Sequence, residues 1–106
     1  MRILFDHGTP APLRRFLTGH TVSTAYEMGW AALDNGNLLS AAEVAFDVFI
    51  TTDQNLRYQQ NLTGRRIAII VLPTTSWPKI KAHADEVVAA VNQIRPSDFY
   101  EVSFES

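Results

Sequence analysis

The 106-residue chain contains no cysteine. That excludes disulfides, thiolate nucleophiles and cysteine-held zinc together, so a metal site has only oxygen and imidazole ligands to draw on, and a reducing compartment suits the composition. No stretch approaches 18 consecutive apolar residues, and the apolar run opening at Ile3 follows no charged leader or cleavage site. The expectation is a soluble, cytoplasmic protein with no membrane association. Positive charge is scarce as well. With 9 Lys and Arg against 11 Asp and Glu, the net charge is −2, which argues against nucleic-acid binding through bulk positive potential. Arg14, Arg15, Arg57, Arg65 and Arg66 supply five of the 9 cations, and no acid occurs between Asp53 and Asp85. This leaves open a local anion-facing side or a solvated surface with scattered charge. There is no internal repeat, low-complexity tract or linker.

What is there is enough for one modest core: 46% of the residues are apolar, and the chain is expected to form a single domain over residues 1–106. Arg2-Ile3-Leu4-Phe5 reads as a buried strand ended by Asp6, His7, Gly8 and Pro10. Leu13, Phe16 and Leu17 share a helical face between Pro10 and Gly19, and residues 20–25 read as a second strand. Residues 26–33 read as a short helix or a loop. Asp34-Asn35-Gly36 supplies an N-cap for a helix whose apolar face is Leu38, Leu39, Ala42, Ala45 and Phe46. Residues 48–52 form a third strand, and 67–72 a fourth, apolar at every position as a parallel strand covered on both faces requires. One long helix is expected from about Ser76 to Ile94, ended by Arg95-Pro96. Residues 99–104 alternate like an edge strand, through which a homodimer could pair.

This order implies an α/β fold: a three-layer sandwich with a mostly parallel central sheet, its strand order about 2-1-3-4-5. Ligands of such sheets bind outside the carboxyl ends of the strands where the order reverses, here between the first and third. Asp6 follows the first strand and Asp53 the third, so the topology brings together two carboxylates 47 positions apart. Two close carboxylates repel unless a cation or a shared proton relieves them. Mg²⁺ is the simpler relief, since one or two carboxylates, waters and a substrate phosphate complete its shell, and such a metal assists phosphodiester hydrolysis. The structural alternatives are that Asp6 caps the following helix and that Asp53 forms an Asx-turn.

The segments RILFDHGTP, DNGNLLSAAE and above all VFITTDQNL resemble the three signature segments of the PIN-like domains, specifically a small prokaryotic PIN-like family. The resemblance runs through nearly the whole chain. It implies a Mg²⁺- or Mn²⁺-dependent ribonuclease, often a toxin with a small antitoxin partner, acting on RNA through acids gathered at the carboxyl ends of parallel strands. By that likeness Asp6 and Asp53 match the acids after the first and third strands. Asn37 stands at the position of a third acid, and His7 where many relatives carry a further one. Asp34 could reach the site or cap its helix, while Glu43, about 9 Å further along that helix, is expected to lie outside it.

Beside Asp53, the residues Asn55, Arg57 and Tyr58, with Trp77 and His7, are candidates for holding single-stranded RNA, which is bound by stacking on aromatics and pairing phosphates with arginine. For Tyr58 the alternative is packing with Leu56 and Leu62 onto the sheet, and for Trp77 it is a lid on the core. Two further functions compete. Asn37 and His7 at usually acidic positions suggest a catalytically degenerate member that serves as an interaction module. A phosphoacceptor receiver domain would place Asp53 after the third strand and Thr74 or Thr75 after the fourth, but it also needs an acidic pair after the first strand and a lysine after the fifth. Only Asp6 is present.

Overall fold

The structure, a computed structural model, describes residues 1–59, 62 and 64–104. Five strands, β1 (Arg2–Phe5), β2 (Thr21–Thr24), β3 (Val48–Thr51), β4 (Ala68–Val71) and β5 (Phe99–Glu101), form one sheet in the order β2-β1-β3-β4-β5. Every neighbouring pair is parallel, the last strand included. The expected order is therefore found, and its reversal falls between β1 and β3. Their register places Phe5 beside Ile50, so both chains leave the sheet at the same edge.

Side chains alternate along each strand, which divides the core into two layers. Ile3, Phe5, Val48, Ile50, Ala68 and Ile70 point to one face. There they meet Leu13 of a 3-10 segment (Ala11–Phe16), with Ile80, Val87 and Val91 from the helices that follow β4. Leu4, Phe49, Ile69 and Val71 point to the other face, covered by α1 (Asn35–Ala45) through Leu38, Leu39 and Ala42 and by α2 (Leu56–Gln59) through Leu56. At about 1.5–3 kcal/mol for each fully buried aliphatic or aromatic side chain, these two layers fix the sheet between its helices. The edge strand β2, which reads Thr-Val-Ser-Thr, is only partly buried. Among the described residues, no helix is long and apolar enough to cross a membrane.

Two local readings change. The expected long helix is two: α3 (Trp77–Ala82) and α4 (Ala84–Gln93), separated at His83, whose φ of −114° and ψ of 23° leave helical geometry. His83 Nδ1 lies 2.9 Å from the Glu86 carboxylate, and its ring stacks on Phe104 at 4.6 Å. The acidic pair Asp85 and Glu86 then falls in the first turn of α4, where the helix dipole favours negative charge. The segment after β1 is also tighter than the apolar spacing suggested. Pro10 and Pro12 initiate a 3-10 segment with no side-chain cap, so Asp6 does not cap a helix.

Candidate functional site

Asp6 continues β1 by one residue: its N–H donates to the Ile50 carbonyl at 3.1 Å. The carboxylate that follows is only 5% exposed, so it must find donors inside the protein. Thr9, three residues on, donates its N–H to Oδ1 at 3.0 Å and directs its hydroxyl to the same oxygen at 2.6 Å. The fully buried Thr51 hydroxyl donates to Oδ2 at 2.5 Å. Each donor is neutral.

Asp53 leaves β3 two residues beyond Thr51, and that same Thr51 oxygen accepts the Asp53 N–H at 3.0 Å. One hydroxyl thus links the main chain of one acid to the side chain of the other. Asp53 Oδ1 accepts the Asn55 N–H at 3.0 Å, the Asx-turn named above as its structural alternative, and Oδ2 accepts Nδ2 of Asn35 at 2.9 Å. The loops behind these acids are pressed together as well: a Cβ on Gly8 would come within 2.3 Å of the Thr52 hydroxyl oxygen.

A carboxylate offers about four lone-pair sites. The two donors on Asp6 Oδ1 fill that oxygen, while Oδ2 keeps one site and Asp53 keeps one on each oxygen. Among the described residues neither acid takes an ion pair. Among the described residues the two carboxylates are therefore held by neutral donors alone, with acceptor capacity left over, and hard divalent cations suit oxygen ligands of this kind. Among the described residues no group of three His, Cys, Asp or Glu side chains gathers to hold a metal.

The remaining sequence candidates scatter. Asp34 is the N-cap of α1, accepting the Asn37 N–H at 2.8 Å, and the Asn37 side chain is exposed. It is Asn35, two residues earlier, that reaches Asp53. Glu43 lies at the far end of α1, bound to Arg65 and to the Arg66 N–H. His7 donates Nε2–H to the Ala31 carbonyl at 3.0 Å, the tautomer that a carbonyl acceptor requires. Arg57 is engaged by Glu101 at 2.8 Å and lies over Phe99. Tyr58 is 80% exposed and does not pack beside Leu56, which is buried. Trp77 is half-buried against the core, its ring 6.1 Å from Phe16. Thr9, Thr51 and Asn35 were not singled out from the sequence. The signal available for Thr51 was a hydroxyl closing an apolar strand, two residues before an acid.

A cleft of about 770 Å³ opens beside Asp6 and His7 on the β2 side, lined also by Arg14, Thr24, Tyr26 and Glu27 but not by Asp53. Arg14 grips both Glu27 oxygens, at 2.6 and 3.1 Å, and Glu27 Oε1 also accepts the Thr24 N–H. The Arg14 hydrogen bond, followed by the Thr24 N–H, holds the Glu27 carboxyl below its ordinary range. Three of the cations that hinted at an anion-facing side, Arg14, Arg57 and Arg65, thus answer to carboxylates of the chain itself. The chain matches no protein-family model, no curated protein and no solved structure.

Proposed function

We propose that the chain is a PIN-like ribonuclease that uses Mg²⁺ or Mn²⁺ and is centred on Asp6 and Asp53. The observation that carries this reading is the link at the switch point: the Thr51 hydroxyl joins the Asp6 carboxylate to the main chain of Asp53, and both acids keep unfilled lone pairs and form no ion pair among the described residues. Asp6 Oδ2 and Asp53 would hold the ion. When bound, such an ion supplies an activated water and charge stabilisation for phosphodiester hydrolysis.

The chain's own contribution is positional. Thr51 fixes the Asp6 carboxylate and the start of the Asp53 loop at once, Asn35 sets the rotation of the Asp53 carboxylate, and Thr9 anchors Asp6 from the other side. The exposed Tyr58 ring offers a stacking face for a base of single-stranded RNA, and Asn55 lies directly beside Asp53. Arg57 would first have to leave Glu101 before it could meet a phosphate. A small antitoxin partner belongs to the same reading, through the family resemblance, as does a cytoplasmic location.

A second reading, an interaction module of the same fold that does not cut, is favoured by one feature: the third side chain on this pair of acids is the amide of Asn35, which brings no charge. Incubating purified protein with Mn²⁺ and a labelled single-stranded RNA separates the two. Cleavage by the wild type that disappears in Asp53→Asn supports the ribonuclease. Intact RNA with a Mn²⁺-loaded wild type favours the module.

A further inference from the structure

A second cleft, of about 520 Å³, lies at the amino ends of β1, β3 and β4, the end of the parallel sheet away from Asp6 and Asp53. Arg2, Arg66 and Arg95 line it together with Val44, Phe46 and Ile67. These three arginines differ from the paired ones. Arg14, Arg57 and Arg65 each meet a carboxylate, whereas Arg2, Arg66 and Arg95 form no ion pair among the described residues.

Their main chain, by contrast, is tied down at both N–H and carbonyl. The Arg2 N–H donates to Asp47 Oδ2 at 2.8 Å and its carbonyl accepts the Asp47 N–H at 2.8 Å. The Arg66 N–H donates to Glu43 Oε1 at 2.7 Å and its carbonyl accepts from Ser97 at 2.9 Å. The Arg95 N–H donates to Asp98 Oδ2 at 3.0 Å, and its carbonyl accepts the Asp98 N–H at 3.0 Å. The two carboxylates that line the cleft, Asp47 and Glu43, therefore hold backbone N–H groups and, in the case of Glu43, Arg65. The Arg2 guanidinium lies over the Phe46 ring at 5.3 Å, which steadies it without neutralising it. On the rim, Val44 is 89% exposed.

We infer that this cleft docks an acidic peptide segment that also carries aliphatic side chains. A guanidinium fork matches a carboxylate bidentately, and three forks carried on a fixed main chain, with no ion pair among the described residues, select an acidic partner by charge. The exposed aliphatic lining, Met1 and Val44, favours a peptide over a nucleic acid. A single strand needs exposed aromatic faces to stack on, and the one ring here is 6% exposed beneath Arg2. This inference stands apart from the metal-centre reading and uses none of its residues.

Fluorescence anisotropy tests it, with a fluorescein-labelled peptide of about ten residues alternating Glu and Leu titrated with the full chain. Saturable binding is expected, weakened by about tenfold or more in the combined variant Arg2→Gln, Arg66→Gln, Arg95→Gln, and unchanged in Asp53→Asn. Val44→Glu, at an exposed position that leaves the core intact, should also weaken it. A Gln–Leu peptide should not bind. The inference is overturned if the Glu–Leu peptide shows no saturable binding to the wild type, if the arginine variant binds it equally, or if the Gln–Leu peptide binds as well. A labelled oligouridine that binds the wild type and loses at least as much affinity in the arginine variant would assign the cleft to nucleic acid and overturn it too.

Discussion

The two ends of the sheet handle carboxylates in opposite ways. At the carboxyl end Asp6 and Asp53 are fastened by hydroxyls, backbone N–H groups and one amide, and neither forms an ion pair among the described residues. At the amino end Asp47 and Glu43 fasten the backbones of Arg2 and Arg66, whose guanidinium groups form no ion pair among the described residues. A chain of small net charge thereby becomes polar along its strands. The acids are functional candidates at one end and scaffolding at the other, and what distinguishes them is what they fasten: side-chain hydroxyls and an amide at the carboxyl end, the main chain of arginines at the amino end.

If that contrast is right, Asp6→Ala should do the greatest damage. It strips a buried carboxylate from Thr9 and from the fully buried Thr51 hydroxyl, at a cost of roughly 3 kcal/mol in urea denaturation. A loss under about 1 kcal/mol would mean the network is not holding the loops. Next comes Thr51→Val, which keeps the shape and removes the hydroxyl that joins the two acids. It should cost about 1–2 kcal/mol and weaken Mn²⁺ binding by about tenfold, whereas a structural hydroxyl alone would change stability and leave Mn²⁺ affinity where it was. Asp47→Ala, at the amino end, removes one hydrogen bond from an exposed acid and should cost under about 1 kcal/mol in the same denaturation, with no change in Mn²⁺ affinity.

The smallest effect concerns Glu27. Its carboxyl is depressed by Arg14 and then by the Thr24 N–H, so it contributes stability above the ordinary value of 4.5, and that contribution is lost as pH falls through its lower folded-state value. Glu27→Gln should therefore melt slightly below the wild type at neutral pH, with the gap closing as pH drops beneath 4.5. A gap of equal size at both pH values would assign the effect to packing.

Much of this was legible before the coordinates. β1, β3 and β4 are apolar on both faces, which is why the strand order followed from the chain alone, and β1 and β3 run into Asp6 and Asp53 at the same edge of the sheet. Side chains that act through geometry were harder to read. Asn35 and Asn37 are two residues apart on α1, about 200° around its axis, so only one can face Asp53, and the capping geometry at Asp34 decides which. At the break, His83 stacks on Phe104, 21 positions away, a contact that helical periodicity does not register. Tyr58 shares a short helix with the buried Leu56 but points to solvent, because two residues along α2 is about 200° around its axis.

The measurement that bears most directly on the site is the electron paramagnetic resonance of Mn²⁺ titrated into the wild type and into Asp53→Asn. If Asp6 and Asp53 form a cation site, the free-ion signal should be suppressed by the wild type at about millimolar concentration and return in the variant. A full free-ion signal with the wild type, or equal suppression by the variant, would contradict the account.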